Sequence, residues 1–229
     1  MNKEKSRNKV LLLITGLLAI VTFLMQIAEH TFELIAVHEE IRQVSTGVWI
    51  NISGDFVFNL LIGLLFIFLI KKKKQTFVWV GILMILSRII VIAGFYMTAS
   101  SSQMLDPVTI GANISLASFI VMGALILAQV LSKKVHLSLF VISIVIVGLF
   151  TLRVLTGNLS SLFAIIKQFD YVNSVQFGDF AKAYIVQLVF TILANYFSAA
   201  TLFCIAFSMF GINKEKNQEI KNNKELKDL

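Results

Sequence analysis

Long apolar stretches alternate with short polar segments along the whole chain. Six stretches, at 10–28, 48–70, 77–97, 108–131, 137–155 and 184–209, consist mainly of aliphatic, aromatic and small residues. Each has about the 20 residues that a helix needs to cross a bilayer. Strands that cross a membrane would instead alternate in polarity over about ten residues. The pattern therefore predicts an all-α integral membrane protein, a bundle of about six transmembrane helices.

Positive charge clusters at alternate ends of these stretches. Fifteen of the 20 Lys and Arg residues lie before the first stretch or after the second, fourth and sixth, whereas the opposite loops hold only Arg42, Lys167 and Lys182. Basic loops stay in the cytoplasm, so both termini are predicted to be cytoplasmic. The richness in Lys, Asn and Ile is typical of AT-rich bacterial genomes, and it favours a bacterial cell membrane.

The first stretch has a second interpretation, a cleaved signal peptide, because basic residues precede it. The small-residue cleavage pattern is absent, with Gln26 and Ala28 at the expected place, which favours a retained helix.

The overall composition leaves no room for a separate soluble domain. The chain has 229 residues, 57% hydrophobic and 14% charged, whereas a soluble domain carries about 25% charged residues. We therefore expect one transmembrane domain, 1–212, and a cytoplasmic tail, 213–229, whose lysines and asparagines favour disorder.

Two segments on the outer side are amphipathic. Residues 29–46 contain no Gly or Pro, and they predict a helix that either extends the first span or lies on the outer surface. Residues 158–180 are too apolar for a free loop. Their apolar residues at helical spacing are Leu162, Ile165, Ile166, Phe169 and Val172. Both segments are predicted to pack on the outer mouth of the bundle.

Arg88 lies near the middle of the third stretch. A charge at that depth costs about 2.5–3.5 kcal/mol on insertion scales, and such residues usually face the bundle interior beside a partner. Asp55 in the second stretch is the natural candidate, Asn59 follows it by one turn, and Arg153 lies near the outer end of the fifth stretch. Two interpretations stay open: a polar pocket of these four residues that binds an anionic group, or an Arg88–Asp55 ion pair that holds helices together.

Two other groups have a possible chemistry and a simpler alternative. His30 and Glu33 are spaced as two metal ligands could be, but two ligands from one helix are a fragment of a site, so a solvated acidic face is favoured. Ala200, Cys204 and Ser208 form a small-residue seam that would let helices approach closely, so Cys204 is predicted to be a packing residue. The sequence predicts no metal and no other cofactor.

Four consecutive lysines follow the second stretch. They are Lys71, Lys72, Lys73 and Lys74. They could contact anionic lipid headgroups, although an anchor that only orients the helices is the favoured interpretation. The net charge of +7 comes largely from such clusters at helix ends. The predicted partner is therefore the lipid bilayer and not a nucleic acid.

Part of the chain resembles a known family. The basic N-terminus, the first apolar stretch, the acidic segment after it and the lysine cluster ahead of Ile85-Leu86-Ser87-Arg88-Ile89-Ile90 are similar to a bacterial family of polytopic membrane proteins called domain of unknown function 4386. The resemblance covers mainly the first 105 residues. It implies a helical membrane fold and no particular chemistry.

Two functions fit these features. One is a protein that binds or transports a small solute, alone or as the membrane subunit of a larger transporter. The alternative is a non-transporting accessory protein, such as an immunity or envelope-stress factor, that acts through another membrane protein. The sequence contains neither G-x-x-x-x-G-K-[ST] nor G-x-S-x-G, and an enzyme is the less favoured class.

Overall fold

The computed structural model describes residues 2–37, 46–69, 73–98, 107–132, 137–172 and 178–225, which form six helices and no strand. The helices are α1 (Asn2–Val37), α2 (Thr46–Phe68), α3 (Lys73–Thr98), α4 (Pro107–Leu131), α5 (Leu137–Val172) and α6 (Gly178–Glu225). The all-α prediction is confirmed for this part of the chain. The predicted stretches match α2, α3 and α4 to within a few residues, whereas α1, α5 and α6 are longer.

Four of the helices are long and apolar enough to cross a membrane. Their apolar stretches are Lys9–Phe32, Lys74–Gly94, Leu137–Lys167 and Ala181–Met209. Among the described side chains, α2 and α4 carry shorter apolar stretches, Phe58–Phe68 and Ala117–Leu131. By length and composition, the chain is compatible with a multi-pass membrane protein.

Helices that follow one another in sequence are neighbours in space. α1 packs on α2, α2 on α3, α3 on α4 and α5 on α6, while α6 returns to pack on α1. α4 meets α5 and α6 only sparsely. The six helices therefore form a ring in chain order, and its loosest junction lies between α4 and α5.

Helices α2 and α3 run antiparallel. Phe66 near the end of α2 contacts Phe77 near the start of α3, with ring centroids 5.6 Å apart, whereas Gly54 near the start of α2 contacts Val91 near the end of α3. The other neighbours alternate in the same way, so the start of α1 and the end of α6 lie at one end. We call this the basic end, since Lys9 and Lys74 lie there, and the opposite one the far end.

Two pairs of glycines allow the closest helix contacts. A Cβ on Gly63 of α2 would lie 3.0 Å from the carbonyl oxygen of Gly16 on α1. A Cβ on Gly123 of α4 would lie 2.7 Å from the carbonyl oxygen of Gly81 on α3. Only glycine permits this backbone-to-backbone approach, as in other close contacts between membrane helices. The α1–α2 and α3–α4 pairs are therefore packed tightly toward the basic end.

The apolar core fills the half of the ring nearer the basic end. Its largest fully buried side chains are Phe66, Phe77, Ile62, Met84, Met122, Ile126, Ile205 and Met209. Buried hydroxyls in the bundle donate a hydrogen bond to the carbonyl four residues earlier in their own helix. These are Thr15, Thr22, Ser143, Thr201 and Ser208. Since such hydroxyls satisfy themselves locally, they need no partner on another helix.

The extended helices change two expectations. α6 continues to Glu225, so the tail predicted to be disordered from residue 213 is helical to that point. Lys, Glu and Gln are good helix formers, and a helix that already exists grows without a new nucleus. α1 likewise continues to Val37, so the acidic segment extends the first span up to that residue, and residues 38–45 lie outside the described part.

The apolar segment after residue 158 does not cover the mouth of the bundle. It continues α5 as far as Val172. Ile165 is buried, but Leu162, Ile166 and Phe169 are exposed. Because the segment continues α5 without a break, only the side that faces α6 is covered. The predicted packing over the outer mouth is therefore wrong for these three residues.

Candidate functional site

Some of the buried polar side chains that the structure describes contact another helix. The hydroxyls described above bond to their own helices, whereas Asn59, Arg88 and Asn158 contact neighbours across a helix–helix interface. All three lie on the far-end side of the apolar core. Their contacts define the candidate site.

Arg88 is buried, with only 6% of its surface exposed. It lies 15 residues after the start of α3, or about 22 Å along the helix at about 1.5 Å per residue. Its guanidinium carbon is 4.9 Å from the ring centroid of Phe58 on α2 and 4.5 Å from that of Phe119 on α4. The two rings meet edge to face, 6.0 Å apart. The negative ring faces attract the cation, so α2 and α4 hold the charge of α3 from two sides.

The backbone of Asp55 lies close to this arginine. A Cβ on Gly54 would lie 2.6 Å from Val91 Cγ2 and 3.3 Å from the carbonyl oxygen of Ser87. The turn of α2 that carries Asp55 is thus pressed against the turn of α3 that carries Arg88. The side chain of Asp55 lies outside the described part, so its pairing with Arg88 stays a prediction.

Asn59 joins α2 to α1 one residue beyond Phe58. Its side-chain Nδ2 donates a hydrogen bond of 2.8 Å to Oε1 of Gln26, and Asn59 is buried. The same turn of α2 therefore contacts Arg88 on one side and an amide of α1 on the other. One sequence signal could have identified Gln26. It is an amide near the end of an apolar stretch, and an amide buried there without a hydrogen-bond partner is costly in free energy.

Polar groups of α6 face α1 and α5 at a similar level. Thr191 Oγ1 donates a 2.8 Å hydrogen bond to Oε1 of Glu29 on α1. Asn195 Nδ2, one turn further along α6, donates a 3.1 Å bond to Oδ1 of Asn158 on α5. The Nδ2 of Asn158 is buried and makes no hydrogen bond to the described residues. The α6 interfaces toward the far end therefore contain polar pairs as well as apolar contacts such as the stacked rings of Phe32 and Phe190.

Together these side chains lie toward the far end on five of the six helices, and we call the set the polar layer. Its members are Gln26, Glu29, Asn59, Arg88, Asn158, Thr191 and Asn195. The amides, Thr191 and Glu29 form separate pairs between neighbouring helices, whereas Arg88 contacts the rings of α2 and α4. A guanidinium can bind an anion through charge and hydrogen bonds, so Arg88 is the member suited to hold a small anionic group.

The other predicted site residues lie elsewhere. Arg153 is exposed on α5, so the structure does not bring its side chain to Asn59 and Arg88. His30 is half-buried on α1, and the side chain of Glu33 is outside the described part. Among the described residues, no group of three or more His, Cys, Asp or Glu could hold a metal ion.

The lysine cluster is described at one position. Lys74 is exposed at the start of α3, Lys71 and Lys72 lie outside the described residues, and the side chain of Lys73 does as well. The exposure of Lys74 at the basic end fits both contact with lipid headgroups and an anchor that only orients the helices.

Cys204 lies in the contact between α6 and α1. Its side chain lies beside Thr15 of α1, and Ser208 one turn further is buried. The small-residue seam is thus an internal contact of the bundle, as expected of packing residues.

Comparison with protein-family models, with curated proteins and with solved structures finds no match to this chain.

Proposed function

We propose that this chain is a bacterial cell-membrane protein with six spans whose polar layer binds a small anionic solute. It would act as a transporter, or as the membrane subunit of one. The observation that carries the proposal is the burial of Arg88 far from either end of α3, with Phe58 and Phe119 against its guanidinium.

The free-energy cost of burying this arginine in a membrane helix supports a functional role. A charge near the middle of a membrane helix costs about 2.5–3.5 kcal/mol on insertion scales, and a cation–π contact returns about 0.5–2 kcal/mol. Two aromatic contacts therefore offset much of this cost. An anion complements a guanidinium, and either Asp55 or a ligand can supply it. In a binding protein the two would compete, so the ion pair and the anion site are compatible.

The distribution of polar and apolar side chains supports access from one side. The basic end would face the cytoplasm, where the apolar core and the glycine pairs Gly16–Gly63 and Gly81–Gly123 pack the helices tightly. The polar layer lies toward the far end, which would face outward. A solute would then reach Arg88 from outside while the cytoplasmic half stays closed.

The orientation has its own test. After Cys204→Ser removes the sole cysteine, a cysteine placed at Lys227 should not react with a membrane-impermeant maleimide in intact cells. It should react fully once the membrane is permeabilised. Labelling in intact cells would place the C-terminus outside and contradict the proposed orientation.

The accessory alternative would be supported by a small-residue seam on the surface and by the absence of an energy-coupling motif. The seam gives it no support, because Ser208 is buried and Cys204 is half-buried beside α1. The exposed apolar surface of α5 is what any lipid-facing helix presents, and it does not favour a protein partner over lipid.

Native mass spectrometry of protein released gently from its own membrane tests the proposed function. We expect a retained small anion that is lost in Arg88→Gln and kept in Lys74→Gln, which removes an exposed cation from the same helix. A retained protein subunit, or a bare chain that is unchanged by Arg88→Gln, would instead favour the accessory role.

A further inference from the structure

The loosest junction of the ring lies beside Arg88. α4 and α5 make few contacts, and one of them is an edge-to-face pair between Phe119 and Phe150, with ring centroids 4.9 Å apart. Phe119 is also one of the two rings against the guanidinium of Arg88. Phe119 thus contacts both the buried cation and a ring of α5.

Toward the far end, α5 is uncovered on the side that carries Phe150. Gly157 lies seven residues after Phe150 and thus on the same side of α5. No atom lies within 4 Å of the position that a Cβ on Gly157 would occupy. Arg153, between them at helical spacing, is exposed. One side of α5 thus carries, in chain order, the ring of Phe150, the cation of Arg153 and the uncovered Gly157.

The remaining surface of α5 is apolar and uncovered. Only 17% of its apolar stretch is buried, compared with 44% for α3. Leu149 and Leu152 next to Phe150 are among its exposed residues. In a bilayer these side chains would contact lipid chains. A passage between the sparsely packed α4 and α5 would connect the hydrocarbon of the membrane with Arg88.

We propose that the ligand is an anionic amphiphile, with a phosphate-type head group and an alkyl chain, that reaches Arg88 from the bilayer between α4 and α5. The inference rests on the proposed function and names its substrate class and route. Arg153 would receive the head group at the entrance of this passage, and Arg88 would bind it inside. The chain would stay among the apolar side chains of α5.

Charge and polarity distinguish this ligand from a water-soluble anion. A fully hydrated anion gains nothing from an apolar wall beside its site. An amphiphile can place its head group on a cation and its chain on apolar surface at the same time, and the junction offers both within a few residues. The two arginines at different depths suit a head group that moves inward from the interface, since guanidinium groups bind phosphate well.

Binding to the full chain in phosphatidylcholine nanodiscs, measured by titration calorimetry with empty nanodiscs as background, tests the route. The probes are dodecyl phosphate and ethyl phosphate, which share a head group and differ in chain length. We expect saturable binding of dodecyl phosphate that is much tighter than that of ethyl phosphate, and loss of both in Arg88→Gln.

Matched variants on α5 then test the junction. A bound chain must separate Phe150 from Phe119, so Phe150→Ala should tighten dodecyl phosphate binding by about 2- to 12-fold, while Phe163→Ala, an exposed ring on the same helix, should not. Arg153→Gln should weaken it by about two- to fivefold, and Lys167→Gln should not. If Phe150→Ala does not fold, Phe150→Leu replaces it.

The outcomes separate the route from the proposed function. Saturable binding of ethyl phosphate as tight as that of dodecyl phosphate would overturn the lateral route and leave solute binding intact. Equal effects of Phe150→Ala and Phe163→Ala would also overturn the route. Absence of saturable binding by both probes would remove the proposed function as well.

Discussion

The glycine contact between α3 and α4 leads to a prediction about stability. In Gly123→Ala, the new Cβ would lie 2.7 Å from the carbonyl oxygen of Gly81 and 2.9 Å from Ile85 Cγ1, whereas ordinary contacts begin at 3.4 Å. A backbone oxygen cannot rotate away as a side chain can, so the two helices must separate by roughly 0.7 Å. Overpacking of this kind costs about 1–3 kcal/mol.

Gly148→Ala is the matched control, because nothing lies within 4 Å of its Cβ position. Both changes replace a helical glycine by alanine, so any gain in helix propensity, up to about 1 kcal/mol, is shared. The free energy of unfolding can be measured by SDS titration, with the fluorescence of Trp79 on α3 as the signal. We expect Gly123→Ala to be less stable than Gly148→Ala by about 1–3 kcal/mol. Equal stabilities within about 0.5 kcal/mol would refute the close helix contact.

Three further predictions concern polar contacts, and the same titration checks them. Asn195→Ala should cost about 0.6–1.7 kcal/mol, because it removes the hydrogen bond to the buried Asn158; the double change with Asn158→Ala should cost less than the sum, and additive losses would mean that the bond contributes nothing. Arg88→Ala and Asp55→Ala should likewise be less than additive if they form an ion pair, whereas an additive result would exclude that pair. Cys204→Ser should change stability by less than about 1.5 kcal/mol, because it nearly conserves the side-chain volume, and Cys204→Leu should cost about 1–3 kcal/mol by overpacking that interface. Similar values for the two would show that the thiol is not packed there.

The helices themselves could be predicted well, but the ends of the longer ones could not. α2, α3 and α4 begin and end within a few residues of their apolar stretches, because polar gaps interrupt the pattern there. α5 and α6 extend beyond theirs, and there the apolar pattern gave the wrong end. Helix propensity and the lack of a breaking residue continue a helix after its apolar run has ended.

The candidate site was predicted in part. Arg88 and Asn59 were identified because a charge or an amide inside an apolar stretch needs an explanation, and both are buried. Arg153 satisfies the same rule but is exposed. Phe58 and Phe119 contact the guanidinium, although nothing distinguishes them in sequence from the chain's other phenylalanines.

The sequence alone determined the helical class, the number of apolar stretches and the asymmetry of charge between the two sides. These features depend on the length and polarity of single segments, and each segment has those properties whatever its neighbours are. Only the tertiary structure decided which side of each helix faces inward, and hence that Arg88 lies between two rings while Arg153 faces outward. That choice depends on contacts between helices, such as the close backbone approaches at Gly63 and Gly123, which fix how α1 packs on α2 and α3 on α4. Such contacts have no counterpart in the composition of any single helix.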